Sequence, residues 1–190
     1  MAQASTGGLA ARPALGGHDG TMGGVRISER VGLGIVSAAV PLGGEEAFAA
    51  ALNKAYGVAP PAVGRSHAVG GARIAMLQPG QLWIIEDGRA DDLLAATRAA
   101  FGEAAWLVDQ SDAWAALRVS GSRDDIHRAL ERICILDLAT LDENAATRTT
   151  MEHLGVILVR EQATYTLLSA RSSAPSLLHA VAVSARNAND

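Results

Sequence analysis

Residues 114–134 read WAALRVSGSRDDIHRALERIC, and the architecture follows from them. Trp114 to Val119 is apolar apart from Arg118, which suits a strand set into a core. Ser120-Gly121-Ser122 breaks that run as a tight turn. Ser122 stands three residues before Asp125, a spacing at which a hydroxyl caps a helix N-terminus and an acidic side chain sits in the first turn. Ile126, Ala129, Leu130, Ile133 and Cys134 follow at offsets 0, 3, 4, 7 and 8, one face of an amphipathic helix. A strand that turns directly into such a helix buries both apolar faces when helices cover a sheet.

The same order recurs on either side. Downstream, Thr147 to Arg160 reads as a strand containing Gly155, and Thr164–Ser169 as its hairpin partner. Ser172 and Ser173 are placed to cap a last helix with Pro175 in its first turn, its buried face marked by Leu177, Leu178 and Val181. Upstream, Leu33 to Val40 is a strand ended by Pro41 and Gly43-Gly44. A helix opened by Glu45 and Glu46 runs to Tyr56 and stops at Gly57. Residues 58–71 form a loop by composition. Arg73–Leu77 and Leu82–Glu86 make a hairpin around Gln78-Pro79-Gly80-Gln81, and a helix after Asp91-Asp92 ends at Gly102. The pattern predicts an α+β fold of two pseudo-repeated strand-helix-strand-strand-helix halves. The expected domain spans 25–186, with halves at about 25–104 and 105–186. A flexible glycine-rich arm over 1–24, with seven glycines, precedes it, and a short tail covers 187–190.

Composition narrows the function classes. The chain has 190 residues, 49% hydrophobic and 19% charged, enough to bury a core and too apolar for wholesale disorder. Sixteen basic against twenty acidic residues give a net charge of −4, which argues against a nucleic-acid platform. One cysteine rules out an internal disulfide and fits a reducing cytoplasm. No apolar run reaches the roughly 20 residues of a membrane span, and no signal peptide is expected.

The motifs for chemistry are weak. The five histidines are scattered without helical i, i+4 pairing, and a metal site is not expected; His127 is placed on the solvent side of its helix. Gly32-Leu33-Gly34 lacks the third glycine and the following helix of a dinucleotide fingerprint. Gly64-Arg65-Ser66-His67-Ala68 lacks the last glycine of a nucleophile elbow and falls in the expected loop. Cys134 sits on an apolar helix face, where burial keeps a thiol protonated and inert. Two polar clusters remain. Asp109-Gln110-Ser111-Asp112, beside Trp106 and Trp114, is either turn chemistry or a contact for a ligand or partner. Arg171, Ser172, Ser176 and His179 form a stripe on the last helix: a solvated face with a cap, a polar interface, or an anion site at the helix start.

Residues 108–121 (VDQSDAWAALRVSG), Cys134-Ile135-Leu136-Asp137-Leu138, Arg148-Thr149 with His153, and Arg171-Ser172 with Ser176, Leu178 and His179 resemble the gamma subunits of heterotetrameric sarcosine oxidases. The match covers roughly residues 105–182. The resemblance implies a fold like the folate-binding part of the glycine-cleavage T-protein. It also implies a non-catalytic, cytoplasmic subunit without a cofactor of its own, in a complex with alpha, beta and delta subunits. There FAD, FMN, NAD and zinc reside on the partners, sarcosine is oxidatively demethylated to glycine with release of hydrogen peroxide, and the one-carbon unit passes to tetrahydrofolate. Arg171, Ser172, Ser176 and His179, with Asp109 to Asp112 and Trp114, are then candidate interface residues. The alternative is a free-standing folate-binding protein of the T-protein-like class.

Overall fold

A computed structural model describes residues 12–188. In chain order it contains β1 (Asp19–Met22), β2 (Val25–Glu29), β3 (Gly34–Ala39), α1 (Glu45–Tyr56), β4 (Arg65–Val69), β5 (Ala72–Gln78), β6 (Gln81–Glu86), α2 (Leu93–Phe101), β7 (Trp106–Asp109), β8 (Trp114–Ser120), α3 (Arg123–Glu131), β9 (Ala146–Met151), β10 (Leu154–Glu161), β11 (Thr164–Ala170) and α4 (Ala174–Asn187). The caps follow the local sequence. Ser122 Oγ accepts from the Asp125 amide at 3.1 Å, and Gly57, at φ 71°, ends α1 in the left-handed conformation that glycine tolerates.

The strands form two antiparallel sheets, ordered β1-β2-β8-β11-β10-β9 and β4-β5-β6-β3-β7. Period-two alternation gives each sheet two buried faces. Leu117, Val119, Val156, Leu158 and Leu167 of the six-stranded sheet pack against Ile126, Leu130, Leu177 and Val181 of α3 and α4. Val36, Ala38, Ile74 and Ile84 of the five-stranded sheet pack against Phe48, Leu52, Leu93 and Phe101 of α1 and α2. The opposite faces meet each other: Ile35, Ala75, Trp83 and Ile85 against Ala116, Ile157, Val159 and Leu168. The order is therefore helices, sheet, sheet, helices, the expected α+β fold with the apolar seam between the sheets at its centre.

The halves divide differently from the expected boundaries near residue 104. The six-stranded sheet takes β1 and β2 from the N-terminal side, and the five-stranded sheet takes β7 from the C-terminal side. β2 pairs with β8 (Ile27 opposite Val119), and β7 pairs with β3 (Trp106 opposite Ala39). Burial is the reason: Val25 and Ile27 are fully enclosed in the α3/α4 core, while Leu107 packs on the α1/α2 core. Two four-residue links, 30–33 and 110–113, carry the chain from one sheet to the other.

The expected arm over 1–24 is corrected over its described part; residues 1–11 lie outside the described residues. β1 is a sheet strand, and Gly23-Gly24, at φ 54° and 82°, form the two-residue turn between Met22 and Val25. Glu29 holds the preceding segment by accepting from the amides of Leu15 (3.0 Å) and Gly17 (2.8 Å). Clustered glycines here serve a turn, not an open chain. Likewise part of the loop expected over 58–71 is β4, joined to β5 through Gly70-Gly71 at φ 55° and 98°. The single strand expected over Thr147–Arg160 is two, folded back at Glu152-His153. The Gly32-Gly34 pair also has a backbone role: a Cβ on Gly34 would lie 2.5 Å from the Arg89 carbonyl oxygen.

His127 is buried instead of solvent-facing, because the Tyr165 hydroxyl from β11 reaches its Nε2 at 3.2 Å and gives the ring a partner. Burial, aided by Arg123, holds its pKa below the usual 6.5 against the opposing pull of Glu131. The unfolded chain therefore binds the proton more readily. The stabilisation from the neutral ring is complete above about pH 6.5 and is lost as pH falls from there through the lowered folded value. His127→Gln should flatten the part of the melting-temperature profile that falls on the acid side of pH 6.5; an unchanged slope would remove His127 from that dependence. Leu130, fully buried on α3, tests the helix-on-sheet core. Leu130→Ala should cost about 2–5 kcal/mol in denaturant unfolding, and a loss within roughly 0.5 kcal/mol would contradict its place there.

Candidate functional site

The links 30–33 and 110–113 run side by side. Arg30 N–H donates to the Ala116 carbonyl at 2.9 Å, and Gln110 N–H donates to the Ile35 carbonyl at 2.8 Å. Beside these crossings lies a cleft of about 210 Å³ lined by Arg12, Glu29, Ser111, Asp112, Trp114 and Arg171 among others. The fold thus brings Arg171 to the polar run that precedes β8, 59 or more residues away in the chain.

Within that run, hydrogen bonds inside the chain engage three of the four residues, and one of these bonds is a local turn contact. Asp109 Oδ1 accepts from the Ser111 amide at 2.9 Å, and Ser111 Oγ accepts from the Ile35 amide at 3.0 Å. Gln110 Oε1 accepts from Trp114 Nε1 at 3.2 Å. Asp112 is exposed at the cleft mouth. Trp114 stands edge-on to Trp83 across the seam, centroids 5.1 Å apart. Arg171 is also engaged within the chain: its amide donates to the Ala113 carbonyl at 2.9 Å, and its guanidinium donates to the Arg12 carbonyl.

The stripe expected along the last helix is divided. Ser176 and His179 face a second groove of about 550 Å³, between α4 and the β9–β10 turn, with Ile133, Glu152, His153 and Leu154. Ser172 is exposed on the 3-10 turn Arg171–Ser173 and lines neither space. Ser172 and Ser173 make no side-chain cap to α4, because that 3-10 turn leads directly into the helix and its backbone satisfies the Ala174 amide through the Arg171 carbonyl.

The remaining candidates for chemistry have structural roles. Ser66 is buried on β4, its hydroxyl donating to the Asn144 carbonyl at 3.1 Å. Cys134 is buried with Sγ 3.8 Å from Thr149 Oγ1. Burial beside Glu86 pushes the Tyr56 hydroxyl up to about 12, far from use as an acid or base near neutrality. Among the described residues no group of three or more His, Cys, Asp or Glu could hold a metal ion, and no helix is long and apolar enough to cross a membrane. Ser176, His179, Glu152 and His153 share the larger groove, but no hydrogen bond links a hydroxyl to an imidazole there among the described residues.

Sequence reading missed two features. Trp106 and Val108 project from the same face of β7 with 71% and 53% of their surface exposed, on a strand that among the described residues pairs only with β3. Arg73 and Arg118 point into the space between the sheets, joined there by Arg30 and Glu161. The second could have been found by period two, since Ala75 and Ala116, each two residues from one of these arginines, face the seam.

No protein-family model matches the chain, and no curated protein matches it by sequence. Solved structures do match in shape. Heterotetrameric sarcosine oxidase from Corynebacterium sp. U-96, in complex with pyrrole 2-carboxylate, contains a chain that superposes with a TM-score of 0.74 at 23% identity, covering 87% of this chain and 86% of that one. Glycine cleavage system aminomethyltransferase T from Bartonella henselae superposes with a TM-score of 0.61 at 13% identity, covering 90% of this chain. This chain spans 57% of that aminomethyltransferase's length. The class is thereby defined: the chain has the T-protein-like α+β fold that these two proteins share.

Arg171 supplies the test of this site. Arg171→Ala should release the segment around Arg12, so that proteases cut residues 12–18 several-fold faster, while unfolding free energy changes by about 1 kcal/mol or less. Unchanged cleavage would mean the guanidinium does not hold that segment.

Proposed function

We propose that this chain is a gamma-type accessory subunit of a flavin-dependent heterotetrameric sarcosine oxidase, acting by contact and not by chemistry of its own. The observation that carries the reading is the reciprocal coverage of 87% and 86% with one chain of such an oxidase, against 57% of the aminomethyltransferase. The likeness to the oxidase chain thus extends over most of that chain, whereas the likeness to the aminomethyltransferase takes in little more than half of it. The resemblance of residues 105–182 to gamma subunits supports the same reading independently. In it, alpha, beta and delta subunits are the partners, FAD, FMN, NAD and zinc belong to them, and the assembly works in the cytoplasm. The complex demethylates sarcosine oxidatively to glycine, produces hydrogen peroxide and hands the one-carbon unit to tetrahydrofolate.

The surface best suited to the partner is the β7 edge. An exposed tryptophan and valine on one face of an edge strand combine a large apolar anchor with unpaired backbone groups, a pattern typical of interfaces. The Asp109–Asp112 run continues from the same strand, and Arg171 lies against it through the Ala113 carbonyl. Ser176 and His179 line the separate groove beside the β9–β10 turn and Ser172 lines neither space, so the three are left out of this contact.

Capture of the tagged chain after co-expression with alpha, beta and delta subunits tests the assignment. The captured complex should carry a flavin absorption band, and the chain alone should be colourless after desalting. Trp106→Asp should weaken capture by about 2 kcal/mol or more, the scale of an interface hot spot, with stability of the isolated chain unchanged within roughly 0.5 kcal/mol. Failure to capture flavin-bearing partners would overturn the subunit reading, and undiminished capture by Trp106→Asp would move the interface away from β7.

A further inference from the structure

At the end of the seam where the β4–β5 and β10–β11 turns meet, a cleft of about 530 Å³ opens between the sheets. Three arginines enter it from three strands or their ends: Arg30 after β2, Arg73 on β5 and Arg118 on β8. They differ in what they already hold. Arg30 places Nε and Nη2 on the two Asp87 oxygens at 3.1 and 2.7 Å, and Nη1 on Thr166 Oγ1 at 3.2 Å. Arg73 donates through Nη1 to Asn144 at 3.0 Å and to Ser66 at 3.3 Å. Arg118 makes no hydrogen bond to a described residue. Its nearest carboxylate oxygen, on Glu161, is 3.7 Å from Nη2, and its Nε is shielded from water without an acceptor.

The charges do not balance. Asp87 is taken bidentately by Arg30, so Glu161 alone faces Arg73 at 3.5 Å and Arg118 at 3.7 Å. One positive charge is left over in the cleft, on a chain whose net charge is −4. A guanidinium presents a planar fork matched to two oxygens of one anion, and such a pair is stronger where the surroundings exclude water. The side chain is 41% exposed, so its fork can be reached from solvent while its stem and Nε are held inside.

We propose that this cleft binds a small oxyanion, the carboxylate or phosphate group of a low-molecular-weight ligand, with Arg118 as the primary donor and Arg73 beside it. The site lies between the sheets, apart from the β7 edge, and the inference is independent of the subunit assignment.

Isothermal titration calorimetry of the full chain with inorganic phosphate, and separately with succinate, tests it against chloride at matched ionic strength. Saturable binding is expected for at least one of the two, and the tighter one identifies the source of the oxyanion. Arg118→Gln should weaken it about tenfold or more, the range for losing a charge-assisted pair. Arg118→Lys, which retains the charge but not the fork, should recover only part of the affinity. Arg98→Gln, exposed on α2, should bind as the unaltered chain does. No saturable binding of either anion, undiminished binding by Arg118→Gln, or an equal loss in Arg98→Gln would each overturn the proposal.

Discussion

The structure depends on the seam where two antiparallel sheets press face to face. The central strands of each sheet are covered on both faces, by helices on the outer side and by the other sheet on the inner side. The seam has an apolar centre of Ile35, Ala75, Trp83 and Ile85 against Ala116, Ile157, Val159 and Leu168, so hydrophobic burial holds the sheets together without specifying one alignment. Alignment comes from polar ties that cross it. Arg30, nearly buried and belonging to the six-stranded side, forks onto Asp87 beside the five-stranded one. Arg73 reaches the other way, to Asn144. A hydrogen-bonded fork has one satisfactory geometry, whereas apolar faces can slide.

The same constraint explains the polar run at Asp109–Asp112. The chain must pass between sheets twice, and each passage has four residues in which to change layer. Backbone groups in those links fall outside both ladders and still need partners. Arg30 and Gln110 find them on the opposite strand, at Ala116 and Ile35, and Ser111 adds its hydroxyl to the Ile35 amide. A segment that reads as a possible recognition site is thus first a device for satisfying the backbone at a crossing. What it leaves exposed, Asp112 and the neighbouring Trp106 and Val108, is what a partner could use.

Much of the fold was legible residue by residue. The offsets of Ile126, Ala129 and Leu130 placed a buried helix face, Gly57 ended α1, and Ser122 capped α3, because each of these depends on neighbours within a few positions. The candidate site was legible in part. Arg171, Ser111, Asp112 and Trp114 do converge on one cleft, but Ser176 and His179 turn toward another, since residues on successive turns of α4 leave the sheet junction behind. Glycine was the commonest source of error. Gly23-Gly24 and Gly70-Gly71 resemble loose chain in composition, yet each pair supplies the positive φ angles of a two-residue hairpin. Conformational freedom and a demand for a rare conformation leave the same letter in the sequence.

By itself, then, the sequence determined the α+β class, the apolar faces of the main helices and strands, the Ser122 cap and the Gly57 stop, all of which rest on local spacing and side-chain chemistry. Tertiary structure alone decided that β2 joins β8 and β7 joins β3, that His127 is enclosed by Tyr165, and that Arg30, Arg73, Arg118 and Glu161 share one cleft. These are pairings between residues tens of positions apart. They are selected by which buried face lacks a cover and which charge lacks a partner, and both questions arise only when the two sheets are brought together.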